Sequence, residues 1–181
     1  MCQQVSEVCG IDAHLLWTTF MVNGLGKEYE LGHLTTEDLF AYLSSIASLP
    51  YTKDQLFVAF SNIFEINESI LPVIKKLKEK EIRLVLLSNI SEMHMNFITE
   101  KYPFLSEFDH ATLSYQVNAM KPQEKIFRAV LESANCRPDE CFYTDDIEEY
   151  ITAAKKLGID GETFTGTSQL LSHLEQRGII L

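Results

Sequence analysis

Residues 141–146 read Cys-Phe-Tyr-Thr-Asp-Asp, an apolar strand running directly into two adjacent carboxylates. A helical pattern follows at once, with Ile147, Ile151, Ala154 and Leu157 spaced to form one apolar face. Two acids side by side at the mouth of a buried strand repel each other, and a divalent cation between them relieves that repulsion. Two further polar sites stand in comparable places. Ser88-Asn89 ends the apolar run that begins at Ile82, and Lys121-Pro122 follows the short run His110–Ser114. A hydroxyl, an ammonium and an acid pair, each at a strand exit, would converge on one edge of a parallel sheet. That edge is where open α/β folds bind ligands.

The chain has two textures. Residues 1–66 read as all-helical, with apolar faces at Leu15, Leu16 and Phe20, at Leu39, Phe40 and Leu43, and at Leu56, Phe57, Phe60 and Phe64. Trp17 and Phe20 are expected in the core of this region. Thr36 and Thr52 stand where N-caps are expected, with Glu37, Asp38 and Asp54 in the first turns that follow. Residues 67–181 alternate strand and helix. Asn67 caps a helix through Lys80. Strands are predicted over 82–87, 110–114, 141–144 and 162–165, and helices over 91–102, 123–135, 147–157 and 168–177. That alternation predicts an α/β fold, a doubly wound parallel sheet with crossover helices.

Composition narrows the function classes. With 46% apolar and 23% charged residues in 181, the chain can bury a sizeable core. A net charge of −11 argues against nucleic acid and against an anionic membrane surface. The lysines at 75, 76, 78 and 80 read as a solvated helix face. The cysteines at 2, 9, 136 and 141 form no pair suited to a metal knuckle or a redox dithiol, so reduced thiols and a cytoplasmic location are expected. No apolar run has the length of a membrane span, and the first residues lack a signal-peptide profile. The histidines show no metal spacing, and His94, between Met93 and Met95, is expected in a core or surface role.

The segments Leu87-Ser88-Asn89, Lys121-Pro122 with Ile126-Phe127, and Phe142–Asp146 with Ala153–Gly158 resemble the second, third and fourth motifs of the haloacid-dehalogenase superfamily. Within it, the small-phosphatase branch is the most similar. Tyr29-Glu30-Leu31-Gly32, followed by Leu34-Thr35-Thr36-Glu37, resembles that family's helical cap. The resemblance implies a cap over residues 1–66 and an α/β core over 67–181. It also implies phosphoryl transfer to an aspartate, with Mg²⁺ neutralising the phosphate. Ser88 would donate its hydroxyl to a phosphoryl oxygen, with Asn89 and nearby backbone amides assisting. Lys121 would place a positive charge beside those oxygens. Asp146 would bind Mg²⁺ directly, and Asp145 through a coordinated water. Tyr150 departs from the family pattern at a place read as supporting loop geometry.

The family's first motif is missing: no strand ending Asp-x-Asp precedes the cap, and the only early acids are Glu7 and Asp12. In the family that strand lies mid-sheet and supplies the nucleophile. Its absence predicts an inactive chain, Mg²⁺ binding that is weak or lost, and an open sheet edge suited to self-association or to a partner strand. Two readings therefore stand. Either a longer product hydrolyses a small phosphate ester and this start is a truncation, or the chain is complete and binds a phosphorylated ligand or a protein partner. Taken singly, Ser-Asn also suits a helix N-cap, Lys-Pro a turn, and the acid pair a helix cap. Phosphorelay receivers use similar residues, but in the order acid pair, phosphoacceptor, hydroxyl, lysine. The order here is hydroxyl, lysine, acid pair.

Overall fold

Short helices divided by capping residues and left-handed glycines make up the first third of the chain, and strand–helix alternation makes up the rest. A computed structural model describes residues 1–181. In chain order the elements are α1 (Cys2–Cys9), α2 (Ala13–Trp17), α3 (Leu25–Glu30), α4 (Thr36–Ile46), α5 (Lys53–Ser61), α6 (Leu71–Glu79), β1 (Val85–Ser88), α7 (Glu92–Lys101), β2 (His110–Leu113), α8 (Ser114–Val117), α9 (Glu124–Ala134), β3 (Phe142–Asp145), α10 (Glu148–Lys156), β4 (Asp160–Thr163) and α11 (Thr167–Gln176). No helix is long and apolar enough to cross a membrane. Two compact units result, and the chain visits each more than once. One comprises residues 1–66, 89–103 and 114–118; the other comprises 67–88, 104–113 and 119–181.

The first unit is helical, packed around Leu16, Phe20, Tyr29, Leu43, Leu56 and Met93. Its helices start where side chains satisfy orphan backbone donors. Thr35 caps α4 in a reciprocal box with Asp38, and Thr52 caps α5 in one with Gln55. The α4 cap is thus one residue before the expected Thr36. Thr36 Oγ1 instead meets the Tyr29 hydroxyl at 2.8 Å and donates to Glu92 at 2.5 Å. Trp17 also departs from expectation, being 49% exposed while Leu16 and Phe20 are buried. The cause is a π-helical turn, Thr18–Val22, closed by the Asn23 amide bonding the Thr18 carbonyl. The wider turn keeps Leu16 and Phe20 facing inward and leaves Leu15, Trp17, Met21 and Val22 facing out.

His94 lies in this unit's core. Its ring stacks on Phe60 at 5.0 Å, meets Phe64 edge-on at 5.1 Å, and its Nε2 lies 3.2 Å from the Phe60 carbonyl. Burial pushes its pKa below the ordinary histidine value, outweighing that carbonyl. The fold therefore holds His94 neutral, whereas the unfolded chain takes up a proton near pH 6.5. The stability from the neutral ring is complete above that pH and is lost as pH falls through the window below it. Denaturant melts between pH 7 and 5 are expected to show this loss at up to ~1.4 kcal/mol per pH unit. His94→Gln, which keeps a donor for Phe60, should flatten the slope; an unchanged slope would assign it to other groups.

The second unit holds all four strands. β1 pairs with β2 and β3 with β4, both in parallel, with Ser88 opposite Leu113 and Asp145 opposite Thr163. These are two separate two-stranded sheets, with no ladder between β1 and β3. Val73, Leu77, Leu170 and Leu174 form one apolar cluster, and Phe127 meets Tyr143 edge-on at 5.8 Å. Parallel strands between helices normally bury both faces. Every residue of β1 and β3 is only half-buried, as suits strands with one open edge.

Several boundaries differ from the sequence reading for local reasons. β1 begins at Val85 because the Leu84 amide is taken by the Asp109 carboxylate at 2.8 Å. β4 begins at Asp160, two residues early. Its Gly161 lies opposite Tyr143, where a side chain would press on the Tyr143 carbonyl. The cysteines require a correction too. The 3₁₀ turn Pro138–Glu140 folds the chain back and leaves the Sγ atoms of Cys136 and Cys141 2.6 Å apart.

Candidate functional site

The strand ends place the polar residues. β3 carries Tyr143 and Asp145 two residues apart, so both side chains leave the same face. The Tyr143 hydroxyl donates to Asp145 Oδ2 at 2.6 Å, and the Ile147 amide donates to Oδ1 at 3.0 Å. That second bond is an Asx-type turn carrying the chain from β3 into α10. The acid pair therefore does not cap α10 itself: its N-cap is Ile147, with no side-chain capping bond.

Lys121 completes the arrangement. A turn closed by the Gln123 amide on the Met120 carbonyl (2.7 Å) and the Met120 amide on Gln123 Oε1 (2.9 Å) precedes α9, and the Lys121–Pro122 bond in it is cis. From this turn the ammonium donates to Asp145 Oδ2 at 2.6 Å and to the Leu87 carbonyl at 3.1 Å. Both side chains are 9% exposed. One ammonium thus touches the C-terminal ends of β1 and β3, one strand from each two-stranded sheet. It also sits over the Tyr150 ring, 5.1 Å from its centroid.

Burial pushes the Asp145 carboxyl upward, but the bonds from Lys121, Tyr143 and the Ile147 amide outweigh it and hold the group below the usual carboxylate range. Burial, then the bond to Asp145, drives the Tyr143 hydroxyl far above its ordinary value, so it remains a proton donor. The centre is a charge-balanced, hydrogen-bonded pair.

Of the residues singled out from sequence, Lys121 and Asp145 meet directly. Ser88 closes β1, one residue beyond the carbonyl that Lys121 holds, and Asp146 is exposed just past β3. Asn89 falls in the helical unit. Two contacts go beyond the sequence reading, which gives Tyr150 a loop-supporting role and Tyr143 none. Tyr143 shares the Asp145 face, a period-two relation readable in the strand. Tyr150 stacks against Lys121, a relation between distant residues that no local pattern reveals.

The donor set for a divalent cation is short. Asp145 is already engaged by three hydrogen-bond donors, and no three His, Cys, Asp or Glu side chains gather where a metal would sit. Mg²⁺ takes a near-octahedral set of oxygens, and Asp146 with an occupied Asp145 falls short of it.

Two half-sheets of parallel strands, with a lysine and an acid pair at their C-terminal ends, define a Rossmann-like α/β protein. Residues 28–164 match the haloacid dehalogenase-like hydrolases, and the chain belongs to that family. Among characterised proteins, it is 28% identical over 160 residues to a D-ribitol-5-phosphate phosphatase of Bacteroides thetaiotaomicron, covering 84% of this chain and 76% of that protein. A drimenol cyclase of Aspergillus calidoustus is 27% identical over 142 residues, 76% of this chain and 27% of the cyclase. Among solved structures, a dehalogenase-family enzyme of Bacteroides thetaiotaomicron, in complex with magnesium and inorganic phosphate, superposes with a TM-score of 0.80 at 25% identity. That match covers 93% of this chain and 88% of the other. A dehalogenase-like hydrolase of Porphyromonas gingivalis shares the fold, with a TM-score of 0.76 at 21% identity over 97% of this chain and 88% of that one.

Proposed function

We propose that this chain carries the phosphoryl-recognition part of a dehalogenase-type phosphatase acting on a small phosphate ester, with residues 1–66 as its cap. The observation that carries the reading is the Lys121 ammonium, held between Asp145 and the Leu87 carbonyl. An ammonium there would attract phosphoryl oxygens, and the Ser88 hydroxyl at the end of β1 would add a donor to them. The similarity to a D-ribitol-5-phosphate phosphatase favours a polyol phosphate as the first ligand to test.

Turnover is a separate matter. No Asp-x-Asp occurs anywhere in the 181 residues, and none of the four strands ends in that pattern. In a form carrying such a strand, its first aspartate would attack phosphorus and its second would protonate the leaving group. The 181-residue chain is expected to hydrolyse neither an aryl phosphate nor D-ribitol 5-phosphate above background, since losing a covalent nucleophile costs several orders of magnitude. Steady-state assays with and without Mg²⁺ check this. Mg²⁺-dependent turnover in a chain verified by mass to start at Met1 would overturn it and direct attention to Glu7 or Asp12.

Mg²⁺ itself is expected to bind weakly, through Asp146 directly and Asp145 by way of water. A thermal-shift titration should give a small, saturable rise in melting temperature that Asp146→Asn abolishes. An equal response in both proteins would reduce the acid pair to its turn-forming role. The open edges of β1 and β3 further suit a partner strand or a second copy of the chain.

A further inference from the structure

Cys136 follows the C-terminal end of α9, where Asn135 takes a left-handed conformation and the Cys136 amide bonds the Leu131 carbonyl at 3.2 Å. Cys141 immediately precedes β3, the strand that ends at Asp145. The intervening turn is tight. The Arg137 amide donates to Glu140 at 2.8 Å, and the Cys141 amide donates to the Pro138 carbonyl at 3.2 Å. Its result is a sulfur–sulfur separation of 2.6 Å between two free thiols, both half-buried and so open to a small reagent. Cys9, by contrast, is fully buried, and Cys2 belongs to the other unit.

We propose that Cys136 and Cys141 form a reversible intrachain disulfide that ties the end of α9 to the start of β3, with a low-molecular-weight disulfide such as oxidised glutathione as oxidant. The thiolate of Cys136 attacks one sulfur of the reagent, forming a mixed disulfide and releasing one equivalent of its thiol. Cys141 then attacks Cys136 Sγ and expels the second equivalent, its own proton passing to that leaving thiolate. Two thiols are oxidised and one external disulfide is reduced to two thiols, so atoms and electrons balance. The order of attack follows from the surroundings. Burial and the hydrogen bond with Cys136 push the Cys141 thiol up to about 12, and its S–H points at the Arg137 carbonyl 3.3 Å away. Cys141 is therefore the resolving partner. The inference stands apart from the phosphatase reading, because its measurements use neither substrate nor metal.

Glu140 lies between the two cysteines and supplies a direct assay. The full chain is incubated with oxidised glutathione, blocked with iodoacetamide, and cut after glutamate. The expected product is a loss of two hydrogens per chain, with the Cys136 and Cys141 fragments joined until dithiothreitol is added. Cys136→Ser and Cys141→Ser should each abolish the link, while Cys2→Ser should leave it intact. The oxidised protein should melt roughly 4–8 °C above the reduced one, since a short loop is closed in the unfolded chain. A glutathione adduct that never resolves, a link that maps to Cys2, or a linked protein with an unchanged melting temperature would each overturn the proposal.

Discussion

Adding a short apolar strand peptide ending Asp-x-Asp is expected to raise the melting temperature of this chain by roughly 5–10 °C at about a hundredfold excess over its dissociation constant. The reason lies in the split sheet. β1 and β3 each pair on one side only, and each shows four half-buried residues where a parallel strand between helices is normally enclosed. Lys121 holds the C-terminal ends of both strands on one ammonium, so a strand placed beside one of them ends close to the other. A strand running parallel between them would gain roughly eight backbone hydrogen bonds and cover apolar surface on both flanks. A scrambled peptide carrying a central proline should do nothing, because it cannot complete either ladder. Without the peptide, the exposed edges are expected to drive self-association, visible by light scattering as material larger than a monomer. A well-behaved monomer that ignores the peptide would retire the strand-acceptor reading and leave the phosphoryl-site proposal untouched.

Gly32→Ala is expected to destabilise the helical unit by about 3 kcal/mol or more. Gly32 has φ +70°, and a methyl group there would be driven into the backbone carbonyl of Tyr115, with Asn118 Nδ2 also close at 3.2 Å. Asn118 cannot yield easily, since it donates to the Leu31 carbonyl at 2.8 Å. Gly24 is the natural control. Its φ is +83°, yet nothing lies within 4 Å of a Cβ placed on it. Gly24→Ala should therefore show the left-handed strain alone, about 1 kcal/mol. Equal losses for the two variants in denaturant melts would mean that the close approach to Tyr115 contributes nothing.

Sequence alone settled much of the architecture, because its signals are local. The alternation of apolar strands and amphipathic helices after residue 67 is written in side-chain periods of 2.0 and 3.6, and the observed elements follow it closely. Helix starts are equally local: the pattern points to Thr52, which caps α5, and to Thr36, one residue past the true cap of α4, Thr35. The strand ends were legible for the same reason: Ser88 and Asp145 are the last residues of β1 and β3. The absence of Asp-x-Asp could be read without any structure.

Relations between distant segments were decided by the tertiary structure. β4 starts two residues before the apolar pattern predicts because Asp160 and Gly161, poor strand formers, pair through the register offered by β3. Trp17 faces out because a π turn re-phases its helix, and no apolar count records which residues such a turn rotates away. Cys136 and Cys141 looked unpaired in sequence; a single 3₁₀ turn brings their sulfurs together. Lys121 was a candidate from its neighbours, but its bonds to Asp145 and Leu87 and its place over Tyr150 depend on three elements meeting at one point. Periodicity and capping act within a turn or two of chain, so sequence could determine the elements and the chemical types at their ends. Charge pairing, sheet closure and ring contacts act through space, so only the folded chain could decide which of those ends share one site.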